Sequence, residues 1–202
     1  MAIRAVVFDI GGVLEYTPRT GWEQKWENKL GLEEGGIAGK VRDIWVGGSL
    51  GTISEEEMEK GVRERLELNP ADFDSFMADL WEEYVGTPNT DMIEYFAGLR
   101  SRYRTAIISN SFVGAREREE ELYHFGEMCE LIVYSHEVGA RKPEPRIFEM
   151  AWTQLGIEPA EMIFLDDVEG HINAARALGI NGVVFRDSAQ AIAEIENLLK
   201  QE

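Results

Sequence analysis

A chain of 202 residues, 44% hydrophobic and 29% charged, is long enough to bury its own core and fits one domain or one domain with a modest insertion. Lys plus Arg total 20 against 38 Asp plus Glu, a formal net charge of −18, so nucleic acid and anionic membrane surfaces are repelled as general partners, while a small anionic substrate, which senses local charge, is not excluded. The single cysteine, Cys129, excludes an intramolecular disulfide and Cys-rich zinc modules.

The first apolar run, Ala5–Phe8, leads into Asp9 and the Gly11-Gly12 pair. It has no strongly basic flank and no long apolar stretch, so it reads as neither signal peptide nor membrane span, and a soluble, cytoplasmic protein is expected. Residues 17–88 carry no convincing strand. Ser54 and Glu57 form a capping-box pattern ahead of Met58, Val62 and Leu66. Phe73, Phe76, Met77, Leu80, Trp81 and Tyr84 follow i, i+3, i+4 spacing. The stretch predicts an insert of about four helices whose aromatic stripes are core. Trp22, Trp26, Trp45 and Trp81 fall within it, some of them expected to face the rest of the chain across a cleft.

Beyond the insert, short runs rich in β-branched residues alternate with helical patterns. The runs are Thr105–Ser109, Leu131–Tyr134, Met162–Leu165 and Gly182–Phe185. They are apolar throughout, which marks strands buried on both faces of a parallel sheet. Ile93, Phe96 and Leu99 share one helix face, as do Ile172, Ala175 and Leu178, and Ile192, Ile195 and Leu199. The expected class is α/β with a parallel sheet. Glu117, Glu119, Glu120 and Glu121, and the Glu-rich stretch 55–59, read as solvated helix faces.

In an open parallel sheet, ligands sit beyond the carboxyl ends of the strands. The residues there are Asp9 before a Gly-Gly turn, Ser109-Asn110, Arg141-Lys142-Pro143 and Asp166-Asp167. Carboxylates gathered at one edge repel each other unless a hard cation such as Mg²⁺ joins them, and Mg²⁺ is usually held by one or two carboxylates plus substrate phosphate. A lysine and a hydroxyl then bind the remaining phosphate oxygens. Such a set supports attack by an aspartate on phosphorus, giving an aspartyl-phosphate.

These four ordered motifs, with the string Arg141-Lys142-Pro143-Glu144-Pro145-Arg146-Ile147-Phe148, resemble the haloacid dehalogenase-like hydrolase superfamily. The similarity is to the helical-cap subgroup that includes a glucose-1-phosphate phosphatase and the phosphatase domain of soluble epoxide hydrolase. The resemblance spans essentially the whole chain. It implies a Rossmann-like core, residues 1–16 and 89–202, with a helical cap, 17–88, inserted after the first strand. It also implies a Mg²⁺-dependent phosphatase of small phosphorylated metabolites, working as a monomer or homodimer. In that scheme Asp9 is nucleophile and metal ligand. Gly11 offers its carbonyl to Mg²⁺, Asp167 completes the protein ligands, and Asp166 stands close behind through water. Ser109 and the Asn110 backbone N–H bind the phosphoryl group, and Lys142 neutralises Asp9 and the phosphoryl oxygens.

Two departures from the family pattern matter. Phosphatases of the superfamily usually carry a second aspartate two residues after the nucleophile, as acid and base. Here that position is Gly11, which cannot move a proton, and losing such a group costs about 10²–10⁴-fold in rate. Glu15 is a conceivable replacement. His171 stands where the subgroup commonly has Asn, and at a helix start it reads as facing solvent. Two alternatives follow: a 2-haloacid dehalogenase, in which the same aspartate attacks carbon in a haloacid substrate, and a catalytically weak protein that binds metal and phosphate.

Overall fold

The computed structural model describes residues 2–200. In chain order, β1 (Ala5–Phe8) is followed by β2 (Glu15–Tyr16), α1 (Trp22–Leu30), α2 (Gly36–Leu50), α3 (Glu55–Arg65), α4 (Pro70–Val85) and β3 (Thr87–Pro88). Then come α5 (Thr90–Leu99), β4 (Arg104–Ser109), α6 (Ala115–Tyr123), α7 (Phe125–Met128), β5 (Leu131–Tyr134), α8 (Ser135–Val138) and α9 (Pro145–Leu155). The chain closes with β6 (Met162–Asp166), α10 (Glu169–Ala177), β7 (Asn181–Val184) and α11 (Ser188–Leu199). The five longer strands form one parallel sheet in the order β5-β4-β1-β6-β7. The predicted apolar runs are these strands, each within one residue at either end.

Because successive strand residues face opposite ways, β1 splits its side chains between two cores. Val6 and Phe8 pack with Phe96 of α5 and Ile195 of α11 on one face. Ala5 and Val7 pack with Phe148 of α9 and Ile172 of α10 on the other. The Phe8 and Phe96 rings stack with centroids 4.7 Å apart. Burying one such side chain contributes about 1.5–3 kcal/mol, so the helices covering both faces fix the central strand in place. The register puts Phe8 level with Ile107 and Leu165. Asp9, Ser109 and Asp166 therefore emerge at one edge of the sheet.

Between β1 and the rest of the sheet lie the four helices α1–α4. They have their own core of Trp26, Ile37, Val41, Met58, Val62, Phe76 and Trp81, extended by Val113 and Ala115 from beyond β4. Helix α3 starts with the expected reciprocal cap, Ser54 Oγ accepting from the Glu57 N–H. One expectation for this stretch needs correcting: Thr87–Pro88 is a strand, pairing antiparallel with Glu15–Tyr16. Two residues are too short to show a pattern in sequence, and the pairing ties together the chain's exit to the helices and its return.

The helical layer is fastened to the sheet at a second seam. The Val113 N–H donates to the Gly48 carbonyl at 3.1 Å, and the Ser135 hydroxyl donates to the Ser49 carbonyl at 2.9 Å. Gly51 has φ +64°, and a Cβ there would lie 1.7 Å from the His136 carbonyl oxygen, so the chain passes this point only without a side chain. Glu55 of α3, expected to be merely solvated, pairs with Arg118 of α6 at 2.7 Å. No helix among the described residues is long and apolar enough to cross a membrane.

Candidate active site

Asp9 leaves β1 with its backbone N–H donating to the Leu165 carbonyl at 2.9 Å, which continues the sheet one residue past the strand. Its Oδ1 accepts from the Ile10 N–H at 2.8 Å. The ammonium of Lys142 lies 2.7 Å from Asp9 Oδ1 and 2.7 Å from Asp166 Oδ2, with its side chain fully buried. The lysine is placed by Asn110. The Asn110 side-chain N–H donates to the Lys142 carbonyl at 3.0 Å, and its Oδ1 accepts from the Lys142 N–H at 2.7 Å. A residue expected to serve through its backbone thus also clamps the neighbouring loop with its side chain.

One cation shared between two carboxylates leaves them unequal. Burial pushes Asp9 up to about 7, although the Lys142 ammonium pulls it down. Burial would also raise Asp166, but the His171 ring and Lys142 together hold its carboxyl down at about 2. His171 Nδ1 lies 3.0 Å from both Asp166 oxygens, and the Val168 N–H donates to Oδ1 at 2.8 Å. The expectation that His171 faces solvent is therefore corrected: its first helical turn aims it back at the strand end. A lone histidine carries no pattern in sequence that would reveal this.

Asp9, Asp166 and His171 bring ligand atoms within 4.8 Å of one another. Lys142 already supplies a cation between the two carboxylates of that group. Asp167 stands apart from it, exposed, leaning over the Gly11-Gly12 turn. A Cβ on Gly12, at φ +73°, would lie 2.5 Å from Asp167 Oδ2. The glycine is what lets this carboxylate approach the turn that follows Asp9. The oxygen-rich surroundings of the turn, with the Asp9 and Asp167 carboxylates beside backbone carbonyls, suit a hard cation such as Mg²⁺.

Ser109, Asn110, Gly11 and Glu15 line one pocket of about 220 Å³ together with Thr17, Tyr84 and Glu119. Glu15 proves to be the carboxyl beside position 11. Its Oε1 would lie 3.6 Å from a Cβ on Gly11, and it accepts from the Thr17 hydroxyl at 2.9 Å. Its Oε2 is buried without a partner. Burial pushes Glu15 up to about 8, with Glu119 and Asp9 adding to the rise against the Thr17 bond.

Glu119 corrects a further expectation. Its sequence neighbours mark a solvated helix face, yet Glu119 is 2% exposed and accepts from the Tyr134 hydroxyl at 2.6 Å. Burial pushes it up to about 7. Tyr134 ends β5, and its hydroxyl reaches α6 only because the fold brings β5 beside that helix.

The site is thus an aspartate at the carboxyl edge of a parallel sheet, bound to a buried lysine that Asp166 shares from the next strand. The family comparison gives the lineage: residues 3–179 match the model of haloacid dehalogenase-like hydrolase, and the chain belongs to that family. It is 29% identical over 221 residues to bifunctional epoxide hydrolase 2 of Sus scrofa, covering 98% of this chain but 39% of that protein. It is 25% identical over 218 residues to D-ribitol-5-phosphate phosphatase of Bacteroides thetaiotaomicron, covering 94% of this chain and 98% of that one. Among solved structures, a haloacid dehalogenase family enzyme from Bacteroides thetaiotaomicron, crystallised with magnesium and inorganic phosphate, superimposes with a TM-score of 0.77 at 23% identity. That match covers 92% of this chain and 95% of that one.

Proposed function

We propose that this hydrolase is a Mg²⁺-dependent phosphatase of small phosphomonoesters, working through an aspartyl-phosphate on Asp9. The observation that carries the reading is the buried Lys142 ammonium, 2.7 Å from both Asp9 and Asp166, beside a pocket lined by Ser109 and Asn110. Asp9, the Gly11 carbonyl and Asp167 would hold Mg²⁺, with Asp166 behind them bound to Lys142 and His171. The ion supplies positive charge that keeps Asp9 ionised and offsets charge on the phosphoryl oxygens.

In this scheme an Asp9 carboxylate oxygen attacks phosphorus as the bond from phosphorus to the leaving oxygen breaks, and that oxygen takes up a proton from a water molecule, since position 11 carries no acid. Water then cleaves the aspartyl-phosphate, releasing inorganic phosphate and restoring Asp9. The Ser109 hydroxyl and the Asn110 N–H would hold the transferring group, and Lys142 would balance its charge. Residues 17–88 would act as a cap that shields the reaction from water. The test is Mg²⁺-dependent phosphate release from a panel of phosphomonoesters. Asp9→Asn is expected to abolish it, and activity surviving that change would remove Asp9 as nucleophile.

A second reading, a metal- and phosphate-binding protein with little turnover, is favoured by Gly11, which places no acid two residues after Asp9. It predicts binding of Mg²⁺ and beryllium fluoride with hydrolysis near background. Chloride release from a 2-haloacid without Mg²⁺ would replace both readings with dehalogenation.

A further inference from the structure

Beside the small pocket lies a larger cleft of about 530 Å³ between the helical layer and the loops that follow the strands. Thr17 and Tyr84 line both, so the two spaces adjoin. The larger one is walled by Trp22, Trp45, Leu80, Tyr84 and Phe112. Trp45 and Phe112 meet edge to face with centroids 5.4 Å apart, one ring from α2 and one from the loop after β4. The hydrogen bonds from Val113 to Gly48 and from Ser135 to Ser49 fix the helical layer across this wall, so the cavity is already formed.

Three of its polar side chains already have partners within the fold. The Thr17 hydroxyl donates to Glu15, the Ser49 hydroxyl to the Val46 carbonyl, and Glu83 accepts from both the N–H and the hydroxyl of Thr20. A polyol entering here would find partners only at Tyr84 and the charged groups Glu23, Glu83 and Arg141, and would set its remaining hydroxyls against aromatic rings that do not replace their bonds to water. Glu23 and Glu83 also line the cavity and oppose a second anionic group, with Arg141 the cation on its wall.

We propose that the leaving group of the substrate is a flat, predominantly apolar alcohol of aromatic size, seated among Trp22, Trp45, Tyr84 and Phe112, and is not a sugar or polyol. This inference rests on the phosphatase reading and adds the substrate class to it.

The experiment compares kcat/KM with Mg²⁺ for 2-naphthylmethyl phosphate and for hexitol 6-phosphate, both esters of primary alcohols, so that intrinsic leaving-group reactivity is closely matched. The naphthyl ester is expected to be favoured by at least about thirty-fold, the scale set by burying an aromatic ring in a preformed apolar site. Trp45→Ala is expected to shrink that ratio about ten-fold or more. Equal use of the two esters, or preference for the polyol, overturns the substrate class and leaves the phosphatase reading standing. An unchanged ratio in Trp45→Ala overturns the placement of the ring and with it the inference. Hydrolysis of neither ester, nor of any other phosphomonoester, sinks the phosphatase reading and the inference together. The wild-type comparison decides the substrate class even if the variant fails to fold.

Discussion

Replacing Glu15 by Gln turns the most unusual carboxyl near the site into a stability measurement. Glu15 is 2% exposed, and one of its oxygens is buried with no partner. Its pKa in the fold is about 8, against an ordinary value of 4.5 that it regains on unfolding. Between those values the folded chain holds a proton that the unfolded chain has released. Stability therefore falls as pH rises: the contribution is fully present below about pH 4.5 and is lost by about pH 8. At about 1.4 kcal/mol per pKa unit the ceiling is on the order of 5 kcal/mol. Relaxation and water entry at buried carboxyls reduce this, and about 2 kcal/mol is the working figure. For a chain of this size that corresponds to roughly 4–8 °C in Tm. Glu119 and Asp9, both raised to about 7, give the wild type further slope in the same direction. The expected result is that Glu15→Gln, free of metal, melts close to wild type at pH 5 and about 4–8 °C higher at pH 8.5. Thermal melts across that range are the assay. Parallel pH profiles for the two proteins would refute the claim that Glu15 is buried as the acid.

The remaining predictions concern the neighbours of Asp9. Lys142→Met leaves two buried carboxylates without their cation, so urea unfolding at neutral pH should show a loss of about 3–5 kcal/mol, smaller at pH 5 where protonation relieves the repulsion. Gly12→Ala forces a Cβ into the Asp167 carboxylate from a left-handed backbone position; Mg²⁺ affinity measured by calorimetry should fall at least about ten-fold, and unchanged affinity would remove Asp167 from the metal site. Gly11→Asp finds ordinary space beside Glu15 Oε1, so it should fold and should raise kcat if proton transfer limits turnover, by up to about 10²-fold. No gain in kcat would mean that position 11 is not what limits the rate.

The sheet is legible in the sequence because each of its strands carries a short, mainly apolar core without alternation, as strands of a parallel sheet covered on both faces do. The strand-end residues then follow from topology, and the structure does bring Asp9, Lys142 and Asp166 into contact and Ser109, Asn110 and Gly11 around one pocket. What escaped the sequence depends on tertiary neighbours. Glu119 sits among exposed acids on α6 and looks like them, and only the approach of Tyr134 across the fold makes it a buried acceptor. His171 is drawn inward by Asp166, five residues earlier, through a strand-to-helix turn whose direction no local pattern encodes. Glu15 lies beside Gly11 because the chain curls back after Asp9, with a backbone bridge between the two. Spacing alone does not give that distance.

The central claim is that Asp9 attacks the phosphoryl group, and a crystal grown with Mg²⁺ and beryllium fluoride tests it most directly. The account predicts a fluoroberyllate bonded to an Asp9 carboxylate oxygen, within reach of Ser109 and Lys142, and a Mg²⁺ ion touching Asp9, the Gly11 carbonyl and Asp167. A fluoroberyllate bound elsewhere, or a metal that leaves Asp9 untouched, would contradict it.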